Sequence, residues 1–364
     1  MTPVRLLLVA VAIGLGVLLL IGTPERDATT EDVTFASGDA ELAGTLSIPA
    51  GAGPHPAIAL ISGSGPQDRT GEIALAPGFQ PFRLLAEALT ARGIAVLRFD
   101  DRGVGASTGD PTDTTTGDVA DDAAAAARFL REHPRIDPDR VGLLGHSEGA
   151  IAAAIVAARD PDIAWAVALA GPAVNGYELL VRQVDRILRS EGVPEEEIAA
   201  AVDAEHRVLD LALEQRWDEA EQLLFDEFME DVATLPEEQR AALGDLETLA
   251  RQRARASVDT LRIPWFAFFL RHDPSDDWEQ VTSPVLALFG GLDVQVDADQ
   301  NREAIEAALA RGGNSDGTVI TLPAANHLFQ QANTGALSEY GLLPPEFAPG
   351  LLETLGDWLA ARAL

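Results

Sequence analysis

Gly145-His146-Ser147-Glu148-Gly149 is the segment of this chain best equipped for chemistry. A serine set between two glycines, with a strand leading in and a helix leading out, sits on a turn that exposes its hydroxyl, and glycines permit the close backbone approach. Both flanks are present: Val141-Gly142-Leu143-Leu144 reads as an apolar strand, and Ala150 to Ala158 as an unbroken apolar helix. A bare Gly-x-Ser-x-Gly also fits an ordinary glycine-rich turn, but this context selects a nucleophilic serine.

A serine hydroxyl attacks poorly until a base takes its proton, and an imidazole held by a carboxylate is the usual base. Six histidines are available. His55 lies in a proline-flanked loop, His133 ends a helix, His206 and His272 belong to a helical stretch and its exit, and His146 is inside the serine turn. His327 follows the strand Val319 to Leu322, where a parallel sheet places functional loops, and is the candidate base. The carboxylate is expected after the preceding strand. Asp293, beyond Phe289-Gly290-Gly291-Leu292, fits best; of its neighbours Asp297 and Asp299, Asp297 reads as the cap of the next helix. The chain order Ser147, Asp293, His327 is that of the α/β-hydrolase fold, and differs from chymotrypsin-like and subtilisin-like orders.

A tetrahedral oxyanion needs two backbone N–H donors. One is expected from Glu148, directly after the nucleophile. The other is expected from Ser62-Gly63-Ser64-Gly65-Pro66, with Ser64 favoured by position over Gly65. No Gly-Lys-Ser/Thr follows, which argues against a phosphate-binding loop.

The surrounding pattern supplies elements to hold these groups. Val33 to Phe35 and Leu42 to Ile48 read as a hairpin across Gly38-Asp39, and Pro56 to Ser62 as a strand buried on both faces. A helix from Pro81 to Arg92, a strand from Ile94 to Phe99, a helix from Val119 to His133 and a strand from Ala164 to Ala170 continue the alternation. From Tyr177 to about Arg262 the pattern is helical and Glu/Arg-rich, with Thr234-Leu235-Pro236-Glu237 reading as a helix cap. The sheet pattern returns at Pro284 to Phe289, followed by a helix from Ala298 to Arg311, the Val319 strand and a helix from Pro345 to Arg362. The expected fold is α/β, a mainly parallel sheet with helices on both faces and an inserted helical cap. Its boundaries are core 32–175, cap 176–279 and core 280–364.

Gly63-Ser64-Gly65-Pro66-Gln67-Asp68-Arg69, Phe99-Asp100-Asp101-Arg102-Gly103-Val104-Gly105, the Gly-His-Ser-Glu-Gly turn, Pro264-Trp265-Phe266 and Asn326-His327-Leu328-Phe329-Gln330 occur in one order. In these motifs the chain resembles a bacterial α/β-hydrolase carboxylesterase group, often described as serine aminopeptidase-like. The resemblance runs from Val33 to the C-terminus and implies hydrolysis of short acyl esters, a helical cap over the site and no cofactor or metal. His272 departs from it, standing where tyrosine is expected before Asp273-Pro274. Asp100, Asp101 and Arg102 read as a buried ion-paired turn under the oxyanion loop. Trp265, Phe266, Phe268, Phe269 and Leu270 fit an acyl pocket and plain core equally well.

Composition narrows the partners. The 364-residue chain has 47% hydrophobic residues and a mean hydropathy of +0.06, enough for a large core. It has no cysteine, which removes disulfides, thiol nucleophiles and thiolate metal sites. Its formal charge of −32, with arginine as its only basic side chain besides histidine, disfavours nucleic acid and anionic headgroups. Residues 1–22, with Arg5 ahead of an apolar run from Leu6 to Ile21, read as an N-terminal membrane anchor or a signal segment, and 23–31 as a linker. The run would reach roughly 25 Å as a helix. The lipid bilayer is thus an expected partner through the N-terminus alone, with the body outside the cytoplasmic membrane.

The leading functional expectation is a serine esterase; its rival is a peptidase on the same triad. For the latter, Glu195, Glu196, Glu197 and Glu205 on the cap suggest recognition of a free amine, although carboxylates on amphipathic helices usually form a solvated face. A non-enzymatic binding module is disfavoured because all the catalytic elements are present.

Overall fold

The computed structural model describes residues 28–363, so the expected N-terminal anchor and most of the linker lie outside the described residues. Among the described residues no helix is long and apolar enough to cross a membrane. The strands are β1 (Thr29–Ser37), β2 (Ala40–Ile48), β3 (His55–Ile61), β4 (Ala95–Phe99), β5 (Ile136–His146), β6 (Ala166–Leu169), β7 (Val285–Gly290) and β8 (Gly317–Leu322). They form one sheet in the order β1-β2-β4-β3-β5-β6-β7-β8. The β1–β2 and β2–β4 pairs are antiparallel, and every pair from β4 to β8 is parallel.

The helices are α1 (Pro81–Ala91), α2 (Thr116–Glu132), α3 (Glu148–Arg159), α4 (Gly176–Ser190), α5 (Glu195–Leu213) and α6 (Trp217–Thr234). They continue with α7 (Glu237–Ala242), α8 (Leu246–Leu261), α9 (Pro264–Arg271), α10 (Pro274–Gln280), α11 (Ala298–Gly312) and α12 (Leu351–Ala363). The period-two pleat divides the core into two layers. Ala57, Ala59, Ile61, Leu143 and Ala168 pack toward α2 and α3, whereas Ile58, Leu60, Leu144, Val167 and Leu169 pack toward α1 and α12. The apolar runs of these central strands follow from burial on both faces.

Several sequence boundaries shift, each for a local reason. β1 begins at Thr29, because Thr29 and Thr30 pair with Ile48 and Ser47, so part of the expected 23–31 linker is strand. Thr234 does not cap a helix. It ends α6 and its hydroxyl donates to the Asp231 carbonyl, while Pro236 holds Leu235 extended and is itself the cap residue of α7. The C-terminal helix starts at Leu351 and not at Pro345; the intervening loop sends Phe347 against Phe79, 5.3 Å between ring centres. The cap is shorter than 176–279, since α10 buries Trp278 in the main core, where the helix packs on α3 and α11.

The turn after β5 is the point of closest packing. Every residue of α3 from Glu148 to Ala157 is buried. A methyl group on Gly149 would overlap the Ile61 and Ser62 carbonyl oxygens at the end of β3, and one on Gly145 would overlap the Gly149 carbonyl. Ser147 is held at φ 54° and ψ −124°, a conformation costly for a residue with a side chain, and its N–H donates to the Leu169 carbonyl at 2.9 Å. Replacing Gly149 by alanine should therefore cost about 3 kcal/mol or more. A chemical-denaturation midpoint for Gly149→Ala close to that of the parent protein would show that this approach is not constrained.

Candidate active site

The loops after β7 and β8 build one unit. Gly290 and Gly291 let their backbones meet: an added side chain would come within 2.5 Å of the Ala325 carbonyl oxygen at Gly290 and 2.6 Å of that of Pro323 at Gly291. Gly291 N–H donates to the Leu322 carbonyl at 2.8 Å and Leu292 N–H to that of Ala325 at 2.9 Å. Asp293 is fully buried, its Oδ1 accepting the N–H groups of Gln295 and Val296 at 2.8 and 2.9 Å. Its Oδ2 lies 2.8 Å from His327 Nδ1. With Oδ2 as acceptor, Nδ1 carries the proton. His327 Nε2 has no hydrogen-bond partner among the described residues.

The His327 loop is braced from inside. Asn326 is fully buried and its Oδ1 accepts from the N–H groups of Leu328 and Gln330 at 3.1 and 2.9 Å. Gln330 Nε2 in turn donates to the Pro344 carbonyl at 3.2 Å. From the serine turn, His146 Nε2 donates to the His327 carbonyl at 2.9 Å, with the two rings 4.8 Å apart. Burial, reinforced by His327 nearby, pushes His146 down to about 3, so this strut is a neutral imidazole. Tyr340, also fully buried, accepts from Gln295 Nε2 at 3.4 Å; burial and the Asp293 charge raise its hydroxyl well above the usual phenol range.

Two adjacent carboxylates brace the glycine-rich turn after β3. Asp101 bridges the turn, accepting from Ser62 Oγ at 2.5 Å at one end and Gln67 N–H at 2.8 Å at the other. Asp100 takes a bidentate pair from Arg69, Nε at 2.9 Å and Nη2 at 2.7 Å, together with the Arg69 N–H. Burial opposes the Asp100 charge, but Arg69 and the Ala106 N–H outweigh it and hold this carboxyl below the ordinary range. Among the described residues Asp101 has no cation of its own. Burial first, then Glu148 and Asp122, push it up to about 7 against the hydrogen bonds from Ser62 and Gln67.

Ser147, His327, Ser64 and Glu148 all border one cavity of about 290 Å³, with Asp293 behind His327. Gly63 fits closely against the serine; an added side chain would lie 3.1 Å from Ser147 Cβ. Gly65 borders only a second cavity, whereas Ser64 borders both that one and the cavity of Ser147. Glu148 opens α3, where its N–H has no intrahelical acceptor. Trp265 and Phe269, stacked 4.9 Å apart, line the cavity with Phe82, Leu85, Leu179 and Leu180, whereas Phe266, Phe268 and Leu270 are packing residues.

Several side-chain contacts tie the cap to the core, and two of them reach the elements of the site. Glu148 Oε1 accepts from Thr116 Oγ1 and from Trp265 Nε1, both at 2.6 Å, joining α3 to α2 and α9. Asp297 caps α11 through the Gln300 N–H and pairs with Arg182 and Arg186 of α4 at 3.4 and 3.1 Å. Its role is structural, as expected. Among the described residues no group of His, Asp and Glu side chains gathers to hold a metal ion.

The family model described as "Alpha/beta hydrolase family" matches residues 73–339. This chain belongs to the alpha/beta hydrolase family. Esterase EstD of Thermotoga maritima is 28% identical over 289 residues, which make up 79% of this chain and 58% of that protein. Thiohydrolase apmlB of Arthrinium phaeospermum is 38% identical over 103 residues, 27% of this chain and 34% of that one. The chain therefore spans well under two thirds of these curated relatives. Among solved structures, esterase Pf2001 of Pyrococcus furiosus superposes with a TM-score of 0.54 at 16% identity, covering 93% of this chain and 92% of that one. The alpha/beta hydrolase GrgF from Penicillium sp. sh18 gives 0.54 at 18% identity, over 92% of this chain and 99% of that one.

Within this alpha/beta hydrolase, Asp293 lies behind His327, and Ser147, His327, Ser64 and Glu148 border one cavity. The cap glutamates do not. Glu195, Glu196 and Glu197 are exposed, while Glu205 is half-buried, its carboxyl raised by burial and by Glu227; none borders either cavity. His272 stacks on Phe268 and lies 2.7 Å from Asp277, away from the serine. Sequence reasoning missed His146 as a strut, because a residue between two glycines of a turn carries no period that reveals its partner. It also missed the Glu148–Trp265 link, which spans 117 positions.

Asp101 gives a pH test. Its folded-state value lies above the ordinary 3.8, so the native state binds more protons than the unfolded chain between those limits and loses stability as pH rises toward about 7. Asp101→Asn removes this term. The melting temperature of the variant relative to the parent should therefore be more favourable at pH 8 than at pH 5, as measured by differential scanning calorimetry. A difference that stays constant or runs the other way would contradict the assignment.

Proposed function

We propose that this protein is a serine hydrolase acting on carboxylic esters with short acyl chains through an acyl-enzyme intermediate. The observation that carries the reading is the buried Asp293–His327 pair, at 2.8 Å, whose imidazole borders the same cavity as Ser147. Ser147 Oγ attacks the ester carbonyl while His327 Nε2 takes its proton; Asp293 keeps the imidazole in the productive tautomer and stabilises its charged form. The N–H groups of Ser64 and Glu148 hold the oxyanion. His327 then protonates the departing alkoxide, and water, activated by the same imidazole, releases the acid. The modest, apolar-walled cavity and the esterases among the similar proteins support a small acyl ester substrate. An amide makes a heavier demand, since its leaving amine must be protonated in a well-aligned geometry. No cofactor is needed for these steps.

A fluorophosphonate should modify Ser147, and Ser147→Ala should lose both labelling and turnover, with His327→Ala nearly as damaging and Asp293→Asn milder. p-Nitrophenyl esters of about two to eight acyl carbons should be turned over far faster than aminoacyl p-nitroanilides. Undiminished activity of Ser147→Ala would end the reading. A higher kcat/KM on the anilides would move it to a peptidase on the same triad.

We also place the catalytic body outside the cytoplasmic membrane, anchored through the apolar run from Leu6 to Ile21. The full-length protein should sediment with membranes, come off with detergent, and be digested by protease added to intact spheroplasts. Recovery of the full-length protein in the cytosolic fraction would refute this placement, and a soluble form beginning near Thr23 would show cleavage in place of anchoring.

A further inference from the structure

A second cavity, of about 450 Å³, lies on the other side of the oxyanion loop. The two cavities share Gly63, Ser64, Glu148 and Trp265, and the larger one borders neither Ser147 nor His327. A leaving group must stay beside His327 to receive its proton, so anything held in the larger cavity is remote from the scissile bond.

Its walls define that ligand. Phe99, Val119, Ile263 and the Trp265 ring supply apolar and aromatic surface. The ionisable residues on it are Asp101, Asp122, Glu148 and Arg102, three carboxyl groups, of which burial favours the neutral form of Asp101, and one guanidinium. Arg102 is already consumed by Asp122, with Nε and Nη2 each at 2.7 Å from its two oxygens. Asp101 is likewise committed, to Ser62 and Gln67. Glu148 differs. The residue is 4% exposed, both of its hydrogen bonds fall on Oε1, and Oε2 accepts none from the described residues. Oε2 keeps access to the cavity and is the acceptor left there for an N–H group supplied by a ligand. An aromatic wall beside it favours a cation, and a carboxylate beside it disfavours an anion.

We propose that the cavity behind the oxyanion loop binds an aliphatic ammonium group, which donates to Glu148 Oε2 with its carbon chain against Trp265, Phe99 and Val119. The ammonium belongs either to the far end of a substrate's acyl arm or to a separate small amine. The first source rests on the hydrolase reading, and the second does not.

The binding test therefore needs no turnover. n-Hexylammonium should bind the full-length protein about tenfold tighter than n-hexanol in calorimetry, the margin expected of one charge-assisted hydrogen bond. Hexanoate should bind no better than the alcohol. Glu148→Gln should abolish the preference for the ammonium, and Val119→Trp, which fills the cavity from α2, should abolish binding of the amine itself. Because each preference is a ratio within one folded protein, a loss of overall stability does not imitate it. Equal affinity for amine and alcohol, or amine binding unchanged in Val119→Trp, would overturn the proposal.

Kinetics then separate the sources. Among p-nitrophenyl esters of about four to eight acyl carbons, a roughly tenfold higher kcat/KM for ω-amino chains than for their ω-methyl counterparts assigns the amine to the substrate. Selective amine binding without that preference assigns it to a separate ligand. If no ester is hydrolysed, the hydrolase reading fails while the binding result stands.

Discussion

The arrangement rests on one steric constraint, the contact between the first turn of α3 and the end of β3. With no side chain on Gly149, the helix start presses against the Ile61 and Ser62 carbonyl groups, and Gly145 lets the chain fold back over Gly149. That contact fixes Ser147 in its unusual backbone conformation and sets Gly63 against its Cβ. It also decides where the two N–H groups proposed for the oxyanion can be, since one follows the serine and the other follows β3. Strain at Ser147 persists because the layers on both faces of the sheet over-determine its position.

Around that contact, buried polar groups are spent on holding loops. Asp101 spans the glycine-rich turn after β3, Asn326 closes the His327 loop, and His146 reaches from the serine turn to the His327 carbonyl. The neutrality of His146 matters for the last of these. A second positive imidazole beside His327 would oppose the charge that the proposed base acquires when it accepts a proton. Trp265 plays a double part, donating to Glu148 through its ring nitrogen while its face walls both cavities.

The sheet was legible because burial on both faces leaves long apolar runs, and the placing of the candidates Ser147, Asp293 and His327 was legible because each follows a strand at the sheet's carboxyl edge. Edges were less so. Thr29 and Thr30 look like linker until their pairing with β2 is known. Pro345 to Gly350 has helix-compatible neighbours, yet tertiary packing of Phe347 and the Ala348 N–H bond to the Phe329 carbonyl, at 2.7 Å, hold it as a loop. At Thr234 a capping pattern lost to the proline within it. The struts and the Glu148–Trp265 link join residues distant in sequence through single hydrogen bonds, and such contacts leave no periodic trace.

The assignment of α10 to the core changes how the cap is attached. The chain leaves the core at Gly176 and returns along α9, and these two points touch: a methyl on Gly176 would overlap the Phe269 carbonyl. Entry and exit thus form a single narrow neck, with about ninety residues hung on it. Insertions and deletions from α5 to α8, clear of the ties that Trp265 makes to Glu148 and that Arg182 and Arg186 make to Asp297, leave the strand register and the loops bearing Ser147, Asp293 and His327 untouched. Selection can therefore lengthen or shorten the outer cap as a replaceable cassette, while the floor of the cavity keeps its place.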